Sequence, residues 1–279
     1  MTTELALNER LSRSIGDFIR VAVSTNIVGG GNLVVATDFN EHDDGEDKAF
    51  QDRFLYIENK NNEEKDRKVR FYYTANGTCN IFGSALSADT NVADIQIHRY
   101  SYTKKRIAIN DAIKELYPIL YREVDDNTTI TTNSALYDYA LPAHMLGGEV
   151  RQVLINTTQT TITAEDYDRV WNWSQINEGR TLRMPGLFAS GYKVRVIGTA
   201  PINTLSGPAN TIPLSGESQL SLLTVYAKYK LYQSVGQPVG SEDVSRYKND
   251  SAEAYGEYLR LLPRARMSKP STTIKFRGF

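Results

Sequence analysis

Residues Thr103–Pro142 read TKKRIAINDAIKELYPILYREVDDNTTITTNSALYDYALP. The first half predicts an amphipathic helix, because Ile109, Ile113, Leu116 and Leu120 recur at i, i+4, i+7 and i+11. Lys104, Lys105, Arg106, Asp111, Lys114 and Glu115 are assigned to its other faces. Thr103 is the expected cap, and Pro118 should kink or end the helix near its last turn. The polar, β-branched run DDNTTITTNSA reads as a connector. Leu136–Leu141 then alternates at period two into Pro142 and predicts a strand. The rest of the chain is placed on either side of this helix, connector and strand.

Before the unit, residues 4–23 predict a first helix with Leu7, Leu11, Ile15, Phe18, Ile19 and Ala22 as its stripe. Short strands are expected at Leu33–Thr37, Phe54–Glu58, Val69–Ala75, Thr78–Phe82 and Ile95–Tyr100. Asn76-Gly77 favours a primed hairpin turn, and Lys60–Lys68 reads as an exposed loop. Behind the unit, strands are expected at Val150–Asn156, Ala164–Trp173, Thr181–Met184 and Tyr192–Thr199. Residues 218–235 and 242–262 predict two more helices, the first stopped by Gly236-Gln-Pro238 and the second ending at Pro263. The expected fold is α+β: a four-helix core, an inserted small antiparallel β-subdomain and a second β-rich section, sandwich- or barrel-like, followed by an extended C-terminal arm. In boundaries, residues 1–24 and 101–124 form the first half of the helical core, around an insert of 25–100. Residues 125–204 are the β-rich section, 205–263 the second half of the core, and 264–279 the basic arm.

The chemistry-bearing patterns are thin. Gly29-Gly30-Gly31 lacks a following Lys-Ser/Thr and the GxGxxG spacing, so it reads as a turn rather than a phosphate cradle. The acidic run Asp38–Asp47 puts Gln51 where a calcium loop needs a bidentate Glu, and so reads as a solvated loop. His42, His98 and His144 have no paired ligand spacing. Cys79, the sole cysteine, forbids an intramolecular disulfide and reads as a small packed residue. Glu165, Asp166 and Asp168 lie too close together for a glycosidase pair. Trp171 and Trp173 share a face if that segment is extended, which would make an aromatic platform for sugar or the face of a packed sheet. No catalytic, cofactor-binding or metal-binding residue is assigned, and the expectation is a protein that is not an enzyme.

The pattern AINDAI-x-x-LYP-x-LYR, a polar gap and YDYALPA resembles the neck or head-to-tail adaptor proteins of tailed bacteriophages. The order of elements agrees over nearly the whole chain: LNERLSRSIGDFIRVAV, a β-rich stretch, the central unit, YKVRVIGTAP, LLTVYAKYKLYQ and a basic tail. The resemblance implies a structural virion protein made in the host cytoplasm, forming a homo-oligomeric ring below the portal protein. It would join capsid to tail, touch other neck or tail proteins, and line a channel that genomic DNA passes without sequence-specific binding. The alternative from another class is a carbohydrate- or receptor-binding tail module.

Bulk properties agree with that expectation. A formal net charge of −1 gives no global field to recruit nucleic acid or a membrane surface. No apolar run approaches the roughly 18 residues that span a bilayer, and MTTELALNERLSR does not read as a signal peptide. Seventeen tyrosines against two tryptophans fit half-buried strands and wet protein contacts, since the ring packs while the hydroxyl stays solvated. Arg264, Arg266, Lys269, Lys275 and Arg277 are accompanied by no acid from residue 264 to the end. Lys269, Ile274, Lys275, Phe276, Arg277 and Phe279 are therefore assigned to an arm that docks on a neighbouring subunit, with STTIKF adding a strand.

Overall fold

A computed structural model describes residues 1–89, 93–157, 167–235 and 241–267. The chain opens with strand β1 (Thr2–Thr3) and helix α1 (Glu4–Ser14). Then come β2 (Ile19–Ala22), β3 (Leu33–Val35), β4 (Phe54–Ile57), β5 (Asp66–Tyr73), β6 (Thr78–Ile81) and β7 (Asp94–His98). Helix α2 (Tyr102–Glu115) precedes β8 (Arg122–Thr131), β9 (Asp138–Ala140), β10 (Glu149–Asn156) and β11 (Tyr167–Val170). The chain continues through β12 (Ser174–Ile176), β13 (Thr181–Arg183), β14 (Lys193–Ala200) and β15 (Thr211–Ile212) to α3 (Glu217–Val235) and α4 (Ser241–Ala265). By contacts it divides into two compact units. The first is Met1–Glu115 with Thr204–Ala265; the second is Leu116–Asn203, to which Arg266 and Met267 also belong.

The expected four-helix core is not the organising element. Among the described residues, four helices share the molecule with four antiparallel sheets. The first helix reaches only Ser14, because Gly16 turns left-handed (φ 66°) and FIRVAV goes on as strand β2. Ile15, Phe18, Ile19 and Ala22 have helical spacing, but Ile19, Val21 and Val23 alternate at period two, and Gly16 decides between the readings. Helix α3 packs against α1, α2 and α4, whereas α4 lies chiefly along α3. Nor is the first β-region a small insert. It is a six-stranded sheet, in the order β2-β7-β4-β5-β6-β3, that takes its edge strand from residues assigned to the helix.

That sheet curls until its edges meet. The Ser24 N–H, just beyond β2, donates to the Val35 carbonyl of β3 (2.8 Å), and the Thr37 N–H donates to Ser24 Oγ (2.6 Å). Its concave face is filled by Val34, Leu55, Ile57, Val69, Cys79, Ile81, Ile95 and Ile97 around an edge-on cluster of Phe39, Phe50 and Tyr72. Burial of each large ring contributes roughly 1.5–3 kcal/mol. The Asn76-Gly77 hairpin forms between β5 and β6, but through a 3₁₀ turn at Thr74–Asn76 with Gly77 left-handed (φ 59°), not as a primed turn. Gly77 is obligatory there, since a Cβ would lie 2.2 Å from the Ala36 carbonyl oxygen.

In the same unit, β1 pairs with β15 (Thr2 opposite Ile212), and Thr3 Oγ1 accepts the Ala6 N–H (3.2 Å) to cap α1. The cap of helix α2 falls two residues earlier than expected: Ser101, not Thr103, accepts the Lys104 N–H at 3.2 Å. It ends at Glu115, three residues before Pro118, and Ile109, Ile113, Leu116 and Leu120 are all buried. Asn110 in α2 holds the returning chain by both ends of its amide, donating to the Leu205 carbonyl (2.8 Å) and accepting its N–H (2.7 Å).

The second unit holds a four-stranded sheet, β11-β10-β14-β8, and a three-stranded one, β12-β13-β9. Val124, Ile130, Tyr139, Val153, Ile155, Leu182, Val194 and Val196 belong to its shared core. Most of the run read as a polar connector is strand β8, ten residues long. Asp126 interrupts it, its carboxylate accepting the Thr128 and Thr129 N–H groups (3.1 and 2.9 Å) where the register with β14 slips. That bulge hides the alternation from sequence reading.

Candidate interaction surface

Polar groups that look chemical in the sequence are consumed by structure. Lys105 is fully buried, its Nζ 3.1 Å from Asp17 Oδ2 and donating to Ser12 Oγ at 2.8 Å. The Asp17 carboxylate also accepts the backbone N–H of Arg99 and of Tyr100. Burial pushes the Lys105 ammonium down to about 8 against the pull of Asp17. His98 faces the Asp17 carbonyl at 3.3 Å, and burial lowers it to about 3, so it is neutral near pH 7. The group ties the end of α1 to the β7–α2 junction. The sequence reading places Lys105 on an outer face, yet it stands four residues before Ile109, on the apolar stripe itself. That spacing was the available signal; its partner, more than eighty positions away, left none.

Other candidates are spent similarly. Asp43 of the acidic run is buried and accepts the Tyr72 hydroxyl (2.6 Å), and Asp47 accepts the Thr74 N–H (2.9 Å). Burial raises the Cys79 thiol. Glu4 is wholly buried 3.9 Å from Arg106, and burial pushes its carboxyl up. No group of His, Cys, Asp or Glu among the described residues is arranged to hold a metal ion. Trp171 and Trp173 do not share a face, because Asn172 between them is left-handed (φ 58°). Trp171 is exposed under the Arg169 guanidinium (4.2 Å), whereas Trp173 packs on the core. Of the three acids near them, Asp168 lies in β11, while Glu165 and Asp166 fall outside the described residues.

One open feature is a groove along α3 and α4. Tyr226, Tyr229 and Tyr232 line one side of α3, as their spacing of three dictates, and Tyr247, Tyr255 and Tyr258 come from α4. Tyr226 meets Tyr258 at 4.7 Å between ring centroids, and Tyr229 meets Tyr255 at 5.1 Å. At one end the cluster is satisfied internally. The Tyr226 hydroxyl donates to Glu115 (2.7 Å), and Lys230 pairs with the same carboxylate at 2.6 Å. Burial pushes Glu115 up, but these two partners outweigh it and hold the carboxyl below its ordinary value. Burial raises Tyr226, Tyr232 and Tyr258. Beyond this end lies a recess of about 570 Å³ lined by Tyr229, Tyr232, Gln233, Tyr247, Lys248, Ser251, Ala252 and Tyr255. Tyr255 is 41% and Leu259 49% exposed, although both lie on a long amphipathic helix.

The residues assigned to the docking arm, Lys269, Ile274, Lys275, Phe276, Arg277 and Phe279, lie outside the described residues, as do the stop signals at Gly236 and Pro238. Helix α4 continues through Pro263 to Ala265, and the Met267 N–H then donates to the Ile119 carbonyl at 3.4 Å. Compared with known proteins, the chain matches no family model and no curated sequence.

Proposed function

We propose that this chain is a structural virion protein of a tailed phage, a head-to-tail adaptor whose copies form a ring below the portal and line the DNA channel. The observation that carries the proposal is the tyrosine groove. Lys105, Asp17, Asp43 and Glu58 are committed to holding the unit's own elements, while one 25-residue helix is left half covered with an open aromatic recess beside it. Clustered tyrosine around an open apolar seam is the enrichment expected of a protein-docking surface. The central sequence unit supports the choice of assembly, through its resemblance to phage neck adaptors. A ring needs two different faces on each subunit, so that contacts are heterologous and close by rotation.

The test is co-assembly. Full-length chain mixed with portal rings of the same phage should add a coaxial ring of density in electron microscopy. Mass photometry should show one discrete stoichiometry. Portal rings that stay bare at micromolar chain, with the chain absent from purified virions, would sink the proposal.

A further inference from the structure

We infer that the recess between the end of α1 and the outer ends of β4 and β7 binds a doubly charged phosphate group, as inorganic phosphate or a phosphate monoester, on the guanidinium groups of Arg53 and Arg99. The inference goes beyond the assembly reading and does not depend on it.

The recess measures about 460 Å³, and Gly16, Asp17, Gln51, Asp52, Arg53 and Arg99 are among its lining. The sheet brings both arginines to one end of the same ladder. Phe54 of β4 pairs with His98 of β7, and Arg53 and Arg99 are the next residues outward on the two strands. Like charges at neighbouring positions across a sheet repel. Neither guanidinium makes an ion pair or a side-chain hydrogen bond among the described residues. Each lies instead by a ring, Arg53 at 5.7 Å from the Phe50 centroid and Arg99 at 5.7 Å from that of Tyr100. Such a contact leaves the N–H edge of the guanidinium open to an acceptor.

The acids of the recess already have partners. The buried Asp17 carboxylate is 3.1 Å from Lys105 Nζ and accepts the Arg99 and Tyr100 N–H groups. Asp52 pairs with Lys68 at 2.6 Å. The unbalanced charge is therefore that of the two arginines. Their backbone is fixed in advance. The Arg53 N–H donates to the Phe50 carbonyl (3.1 Å) and the Arg53 carbonyl accepts the Val69 N–H (2.7 Å), while Asp17 holds the Arg99 N–H. An arriving anion has little backbone left to order.

Charge selects the class of anion. A carboxylate or a phosphodiester brings one negative charge, whereas a phosphate monoester brings about 1.5 to 2 near neutral pH. The second value matches two guanidinium groups, and each planar fork fits a pair of phosphate oxygens. The volume lies within the range of small-ligand sites, about 300–1,000 Å³, so the recess also has room for the group that a monoester carries.

The test is isothermal titration of the full-length chain with inorganic phosphate and with glycerol 3-phosphate, using acetate and dimethyl phosphate as singly charged controls. The doubly charged ligands should bind with a Kd of about 1 mM or tighter, and the controls at least about tenfold more weakly. Arg53→Gln and Arg99→Gln should each weaken phosphate binding at least about tenfold, while Arg70→Gln, an exposed arginine outside the recess, should leave it unchanged. Either recess variant relieves a like-charge pair, so its unfolding midpoint should not fall. Tighter binding of the free ion would identify phosphate itself as the occupant, and tighter binding of glycerol 3-phosphate a monoester; both keep the inference. No saturable binding of either up to about 10 mM, controls that bind as tightly, or binding indifferent to both recess variants would each overturn it. Those failures would leave the assembly reading untouched.

Discussion

Lys105 shows how a single residue changes meaning once its partner is known. A lysine whose folded-state pKa is about 8 lies below its unfolded value, roughly 10.4. Its contribution is complete above the unfolded value and is lost as pH falls through 8. Between those limits the unfolded chain holds the extra proton, so this group adds about 1.4 kcal/mol of stability per pH unit on raising the pH. Lys105→Met should abolish that increment, measured as the difference in urea-unfolding free energy between pH 8 and pH 10. It should also cost about 3–5 kcal/mol at pH 7, because Asp17 is left buried with only backbone donors. Unchanged stability in the variant would show that the pair contributes nothing to the junction of α1 with α2.

At the scale of elements, the Gly77 turn makes the sharpest prediction. Alanine there must adopt a positive φ and displace the Ala36 carbonyl, so Gly77→Ala should destabilise the six-stranded sheet by at least about 2 kcal/mol. Chemical denaturation would show it as a lower midpoint at unchanged slope. The Asn-Gly pair announced this hairpin from the sequence, and the stripes of α3 and α4 announced those helices, because each signal is local. Where local signals conflicted, reading failed. Ile15–Ala22 fits a helical stripe and Ile19–Val23 a strand period, and a left-handed Gly16 settles the matter for strand. In β8 the inward residues Val124, Asp126 and Ile130 stay in phase, but one of them is an acid and Thr128 drops out of the buried set at the slip, so the strand reads as polar. The tyrosines of the groove were visible beside the α3 stripe, but no spacing within either helix reveals that two helices face each other.

For the whole molecule, a formal net charge of −1 sets an electrostatic limit. Affinity for duplex DNA grows with the number of phosphates a protein neutralises, and that part of it falls steeply with salt. A channel that DNA must traverse is served by few such contacts. The full chain is therefore expected to bind duplex DNA only weakly at physiological salt, with no preference among sequences in fluorescence anisotropy. Sub-micromolar, sequence-dependent binding would replace the adaptor proposal with DNA recognition.

The amide of Asn110 on Leu205 makes the first unit a discontinuous domain with a natural splice site. The chain leaves at Glu115 and returns at Thr204, one residue from the position that Asn110 grips. Folding of Met1–Glu115 with Thr204–Ala265 then requires closure of one loop, whose entropic cost rises only slowly with length. Replacing residues 116–203 by a short glycine–serine linker should yield a soluble domain with native hydrogen-exchange protection in β4, β5 and β7. Asn110→Ala in that excised domain should loosen the junction, seen as faster exchange at Leu205. What lies between these two residues is thereby exchangeable without rebuilding what holds them.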